Sequence, residues 1–195
     1  MTYDKDKVLT SFSRWKNVLD SYNMPTWDEL PAFDLYMDQV IVIMSKYMEI
    51  FNMSNDKDRG VVTSSMINNY VKLKIMPPPV KKRYSKVHIA YLLMISSLKQ
   101  TLSISHIQKV IPCPIPEDEV RRIYETFTEN IRIAFHDTQE MIIKKYLPKI
   151  EESNCSKECM NNFVLQSSVF AGALRILSEK AIILGLPPES GEEKK

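Results

Sequence analysis

Amide, hydroxyl and ammonium side chains recur at helical spacing within residues 63–73. Ser65, Asn68, Asn69 and Lys72 would share one face of a helix, and that face contains no carboxylate. An asparagine amide can form two hydrogen bonds with an adenine edge, a serine hydroxyl can bond several base edges, and a lysine neutralises phosphate. This pattern predicts a surface that contacts nucleic acid.

The charge distribution along the chain favours the same interpretation. Residues 59–116 contain nine Lys or Arg and no Asp or Glu. Residues 1–58 contain six basic and ten acidic residues, and residues 117–195 contain eleven and fourteen. The formal net charge of +2 therefore conceals one basic module between two mildly acidic ones. Such segregation is typical of a nucleic-acid site, although a solvated basic surface without a partner would look the same.

The elements that must hold this face are a helix, a basic extended tip, a second helix and a short third helix. Thr63 and the two serines after it are N-cap candidates for the first helix. Three prolines at 77–79 force a rigid exit into the basic tip at 80–84. Ser85 can cap the next helix, and residues 103–111 predict the last one. The apolar stripe of the first helix consists of Met66, Ile67, Tyr70 and Leu73.

This order of elements resembles the winged helix-turn-helix DNA-binding domain of the mercury-resistance-regulator (MerR) class. The similarity lies in Ile67, in Asn68-Asn69-Tyr70 where that class tends to have Arg-Tyr-Tyr, in Ile75-Met76-Pro77, and in Tyr84-Ser85. The stretch SSMINNYVKLKIMPPPVKKRYSKVHIAYLL also resembles a bacterial family of unknown function, over about residues 34–184.

The resemblance implies a DNA-binding transcriptional regulator that binds double-stranded DNA. Residues Thr63 to Leu73 would enter the major groove, and Thr63 is itself an expected DNA-binding residue. Ser64, Ser65, Asn68 and Asn69 would then contact base edges. The expected phosphate contacts are Lys72, Lys74, Lys81, Lys82, Arg83 and Lys86. The alternative is a helical protein-interaction module whose winged helix binds a protein instead of DNA.

Scarce glycine and long helical periodicities predict a mainly α fold. Together with the resemblance, this implies a MerR-like winged helix-turn-helix module followed by a long helical pair. The expected organisation is an N-terminal helical extension at 1–33, a winged-helix domain at 34–111, a proline-rich spacer at 112–116, a helical dimerisation or effector region at 117–186, and a loose tail at 187–195.

A long helix in the C-terminal region repeats apolar or neutral residues in steps of four and three, so it needs the next helix or another subunit as a partner. A long helical pair behind a winged-helix head resembles the dimerisation arrangement of MerR-class regulators, which implies a homodimer through the C-terminal helices. The expected helices are 117–146 and 156–184, with a stop at Tyr146-Leu147-Pro148. An intramolecular bundle is the alternative, and the sequence names no small-molecule effector. The repeat consists of Val120, Tyr124, Phe127, Ile131, Ala134, Thr138 and Met141.

The sequence gives little evidence for a metal site or an enzyme active site. Cys155 and Cys159 are four positions apart, but a zinc site needs four ligands, and neither Cys113 nor a histidine is brought to them by sequence. No phosphate-binding glycine loop or hydrolase motif occurs. We therefore expect no enzyme activity, metal or cofactor. No secretory leader or membrane span is recognisable, so a cytoplasmic protein is expected.

Overall fold

The protein is mainly helical, as predicted. The computed structural model describes residues 4–52, 62–152 and 157–185. Short 3₁₀ turns lie at Trp27–Glu29 and Glu49–Asn52, and a π-helical turn lies at Ile142–Tyr146. The α-helices are α1 (Lys5–Ser21), α2 (Met37–Tyr47), α3 (Ser64–Lys72), α4 (Lys86–Leu98), α5 (Ile104–Val110), α6 (Glu117–Met141), α7 (Leu147–Glu152) and α8 (Lys157–Leu184).

Side chains at the helix starts satisfy backbone donors that have no partner within the helix. The Thr63 hydroxyl accepts a hydrogen bond from the backbone N–H of Met66 at 3.3 Å, which fixes the start of α3. The Ser103 hydroxyl does the same for His106 at the start of α5, at 3.2 Å. Helix α6 begins with Glu117, Asp118 and Glu119, whose charges complement the positive end of the helix dipole.

Helix α4 forms the centre of the molecule. All ten residues from His88 to Ser97 are buried, so this helix has no solvent-facing side and other elements cover it all round. Helices α2 and α6 pack directly against it. The hydrophobic core around α4 is continuous from Met24 to Tyr124.

The first residues of the four-and-three repeat on α6 are buried inside the molecule. Val120 and Tyr124 are fully buried against the α4 core. The Tyr124 hydroxyl donates a hydrogen bond to the carbonyl of Pro25 at 2.7 Å, and its ring lies 6.1 Å from that of Trp27. The four-and-three periodicity identified an apolar face correctly, but this part of the face is covered by the same chain.

The predicted helix stop at Tyr146-Leu147-Pro148 is wrong. The chain passes through the π-helical turn and continues as α7 to Glu152. Pro148 is the second residue of α7 and has no N–H to donate to the preceding π-helical turn. The wider π turn just before it relieves the clash that a proline ring makes with the preceding helical turn.

The described residues contain no β-strand, and extended pairing is limited to two isolated antiparallel bridges. One joins Val80 to Arg83, and the other joins Leu35 to Tyr84. A wing is normally built from strands, so the winged helix-turn-helix assignment and its domain boundaries stay predictions.

The N-terminal part of α8 is held by aromatic contacts. The ring of Phe163 lies 5.3 Å from that of Phe12 on α1 and 4.6 Å from that of Tyr146. Helix α1 also packs against α6 and α7. No helix within the described ranges is both long and apolar enough to cross a lipid bilayer.

Candidate nucleic-acid interface

The polar face of α3 lies open to solvent. Its apolar side is anchored by Ile67 and Tyr70, which are buried in the core. The hydroxyl of Thr63 is partly engaged because it caps the helix. The exposed polar side chains of α3 and its cap are Thr63, Ser64, Ser65, Asn68, Asn69 and Lys72.

The end of α3 is closed by a tight turn around Lys74. The N–H of Lys74 donates to the carbonyl of Val71 at 3.0 Å, and the N–H of Ile75 donates to that of Tyr70 at 3.1 Å. Lys74 has φ of 56°, the left-handed conformation that glycine usually adopts at this position. The turn directs the chain inward at Ile75, which is buried, while Lys74 stays exposed.

The basic tip is a minimal hairpin. Val80 and Arg83 exchange two backbone hydrogen bonds, of 3.1 and 2.9 Å. Lys81 and Lys82 lie between them with φ of 50° and 64°. Positive φ at both central residues is the signature of a type I′ turn, where Asn-Gly is the preferred pair. The hairpin therefore presents two exposed lysines at positions that disfavour lysine.

Two contacts fix this hairpin to the helical core. Tyr84 and Leu35 exchange backbone hydrogen bonds of 2.8 and 2.9 Å. The buried His88 ring connects the two arms of the hairpin, since Nδ1 lies 3.0 Å from the backbone N of Ser85 and Nε2 lies 3.1 Å from the carbonyl of Pro78. Nδ1 must accept and Nε2 must donate in this arrangement, which requires the neutral ring. Burial lowers the pKa of His88 and so favours that form.

Two predicted contact residues have aromatic neighbours. The Arg83 guanidinium donates to the hydroxyl of Tyr36 at 2.8 Å and lies 4.6 Å from the centre of its ring. Tyr36 therefore lies beside the cation of Arg83. The sequence did not predict this contact, because Tyr36 precedes α2 and lies outside the basic module. Lys86 is half-buried with its ammonium 5.7 Å from the ring centre of Trp27, which makes it the least available of the predicted phosphate ligands.

The basic module is not neutralised by neighbouring acids. Between Val62 and Pro116, no lysine or arginine lies within ion-pair distance of a carboxylate in the described part of the chain. By contrast, Arg121 on α6 pairs with both Asp28 and Glu125. The positive charge of the module is therefore available to a partner.

Among the described residues there is neither a metal-binding cluster nor an activated thiol. No group of three or more histidine, cysteine or acidic side chains there is arranged to hold a metal ion. Cys155 and the side chain of Cys159 lie outside the described part of the structure. Burial raises the pKa of the half-buried Cys113 thiol, which lowers its reactivity at neutral pH.

Comparison with known proteins bears on the same region. The sequence model of one protein family matches residues 25–127, which is more than half of the 195 residues. The chain belongs to the DUF1836 family, a domain of unknown function. The DUF1836 segment contains the candidate interface, α2 to α5 and the first part of α6. No curated protein and no solved structure matches the chain.

The extent of the family differs from the expectation. The DUF1836 match begins before Asp34 and ends at Phe127, well short of Leu184, so the expected range of about 34–184 was wrong. The earlier start has a structural reason, because Trp27 and Leu30 belong to the same core as α4. Helix α8 lies outside the DUF1836 segment.

Proposed function

We propose that this protein is a DNA-binding transcriptional regulator whose DUF1836 segment acts as a winged helix-turn-helix head, and that it works as a homodimer through its C-terminal region. In this proposal α3 enters the major groove, where Asn68 and Asn69 contact base edges. The hairpin at 80–83 lies against the phosphate backbone. What supports the proposal is an exposed amide face followed in sequence by unpaired cations.

The main support for the proposal is the backbone conformation of three lysines. Among the described residues, those other than glycine with positive φ are Lys74, Lys81 and Lys82, and all three were predicted phosphate ligands. A left-handed conformation costs a residue with a Cβ atom about 1–2 kcal/mol. Residues held in such conformations tend to cluster at functional sites. Glycine or asparagine would be more stable at these positions, so a requirement for positive charge explains why lysine occupies them.

The test is a titration of the full-length protein with double-stranded genomic DNA fragments at several salt concentrations. Each phosphate neutralised contributes about −0.9 to the slope of log K against log salt, so the exposed cations predict a slope of about −4.5 per head. Failure to retain DNA even at low salt would refute the proposal. The cations counted are Lys72, Lys74, Lys81, Lys82 and Arg83.

Two variants separate charge from base recognition. The double variant Lys82→Glu, Arg83→Glu should weaken binding to all sequences and flatten the salt dependence. Asn69→Ala should reduce the preference among sequences and leave the salt slope unchanged. Equal effects of both variants on every sequence would contradict the assignment of α3 to the major groove.

A protein-binding head is the second candidate, and one observation favours it. Phe33 and Val80 are 69% and 67% exposed. Phe33 precedes the bridge residue Leu35 by two positions, and Val80 is itself bridged to Arg83. Exposed apolar side chains at such a place are typical of protein contacts. If Phe33→Ser and Val80→Ser abolish capture of a cellular protein while DNA retention is absent in the wild type, this candidate replaces the regulator.

A further inference from the structure

A backbone bridge brings the segment before α2 beside the hairpin at 80–83. Leu35 and Tyr84 exchange two backbone hydrogen bonds, and both side chains are buried. Successive side chains of extended backbone point to opposite sides, so the neighbouring residues Tyr36 and Arg83 lie on the outer side of the bridge. Both of these side chains are exposed. The fold therefore places an aromatic hydroxyl beside a guanidinium at the surface.

The contact between these two side chains leaves both of them able to bind a further group. A guanidinium nitrogen of Arg83 donates a hydrogen bond to the Tyr36 hydroxyl oxygen at 2.8 Å, and Cζ lies 4.6 Å from the centre of the ring. A phenol that accepts such a bond keeps its own proton for donation, and a guanidinium has five N–H groups. No residue in the described ranges accepts a hydrogen bond from the Tyr36 hydroxyl, so its proton is free for an external acceptor.

The tyrosine holds this cation without neutralising it. Asp34 and Asp38 lie two positions before and after Tyr36, yet neither carboxylate is within ion-pair distance of Arg83. Elsewhere the chain does fix an arginine with acids, since Arg121 on α6 pairs with two carboxylates. Stacking and hydrogen bonding to a phenol orient a guanidinium and leave its positive charge in place. This arrangement is suited to an anion.

We propose that Tyr36 and Arg83 together form a phosphate clamp, in which Tyr36 orients the guanidinium and donates its hydroxyl proton to the same phosphate group. The N–H groups of an arginine match two oxygens of a phosphate, and the phenol supplies a further donor beside them. The ligand class is the phosphodiester of a DNA backbone. The inference rests on the proposed function and deepens it, because it names the residues that would fix the hairpin on the DNA strand.

The first measurement is the affinity of the full-length protein for a labelled DNA duplex, by fluorescence anisotropy at several salt concentrations. Tyr36→Phe should weaken binding about 3- to 10-fold, the usual effect of one lost hydrogen bond, and leave the salt slope unchanged because no charge is removed. Arg83→Lys should act in the same way, since an ammonium keeps the charge but lacks the planar set of donors. Arg83→Ala should also lower the salt slope by about 0.9. The urea midpoint of Tyr36→Phe should match that of the wild type, whereas a merely structural role would lower it.

A double-mutant cycle tests whether the two residues act on one phosphate. In an Arg83→Ala background, Tyr36→Phe should change the DNA affinity less than about twofold, because the shared contact is already lost. Lys72→Ala is the matched control background, since it removes another predicted phosphate ligand that is no partner of the Tyr36 hydroxyl. There Tyr36→Phe should keep its full effect. An equal effect of Tyr36→Phe in all three backgrounds would overturn the inference, as would the absence of any effect in the wild type.

A second measurement separates the phosphate clamp from the proposed function. Inorganic phosphate is titrated into the full-length protein at constant ionic strength, and the side-chain Nε–H signal of Arg83 is followed by NMR. The signal should shift and saturate in the wild type, and Tyr36→Phe should need at least about threefold more phosphate. If phosphate shifts this signal but the duplex does not bind, the proposed function fails and the clamp stands. If the duplex binds while phosphate leaves the signal unmoved, the clamp fails and the proposed function stands. If neither ligand binds, both fail.

Discussion

Replacing Lys82 by glycine should make the protein more stable and a weaker DNA binder at the same time. Lys82 has φ of 64° at the second central position of the hairpin turn, where glycine is the preferred residue. The left-handed conformation costs lysine about 1–2 kcal/mol, which glycine avoids. Glycine also loses more conformational freedom on folding, at a cost of about 0.5–1 kcal/mol.

The net expectation for Lys82→Gly is a gain of about 0.5–1 kcal/mol in the free energy of unfolding. For a chain of this size such a gain raises the melting temperature by about 2 °C. Removal of one phosphate contact should lower the salt slope of DNA binding by about 0.9. Urea unfolding followed by circular dichroism measures the first effect, and fluorescence anisotropy of labelled DNA measures the second.

Lys82→Ala is the matched control, because alanine removes the charge but keeps the Cβ atom that strains the turn. It should weaken DNA binding as much as Lys82→Gly without stabilising the fold. If the glycine variant is no more stable than the alanine variant, the left-handed conformation of Lys82 does not destabilise the fold. If neither variant changes DNA affinity, the hairpin does not contact phosphate.

Two further predictions concern the supports of the interface. Because burial lowers the pKa of His88, the unfolded chain binds a proton from about pH 6.5 downward before the folded chain does, so stability should fall as the pH drops below that value. Urea midpoints across this range should decrease in the wild type, and a decrease of equal size in His88→Gln would assign the effect to another group. Tyr124→Phe should lower the free energy of unfolding by about 1–2 kcal/mol, because the Pro25 carbonyl loses its donor. Tyr36→Phe, which removes an exposed hydroxyl, should change stability much less, and equal losses in the two variants would contradict this reasoning.

The local elements of the DUF1836 segment were predictable because their signals are local. Thr63 caps α3 as its sequence position suggested, and the apolar spacing of Ile67 and Tyr70 placed the opposite polar face correctly. The prolines at 77–79 predicted the extended segment that leads into the basic tip at 80–84. Such features depend on backbone donors and helical periodicity within a few residues, which a single sequence records.

The features that the sequence did not predict depend on contacts between residues that are far apart in the chain. Periodicity identified an apolar stripe on α6 but could not say that Trp27 and the α4 core cover its first half. Tyr36 meets Arg83 only because a backbone bridge joins two segments that are far apart in the chain. The role of His88 between two arms of the hairpin likewise needs the folded geometry.

Helix α6 crosses the end of the DUF1836 segment without interruption. Inside the segment it is held by the buried Tyr124, and beyond the segment it is held by Phe135, whose ring lies 5.1 Å from that of Tyr22. At 1.5 Å per residue these two anchor points are about 16 Å apart on one helix. The C-terminal part of the molecule is therefore joined to the DUF1836 segment by a continuous helix that is packed on both sides of the boundary, and not by a flexible linker.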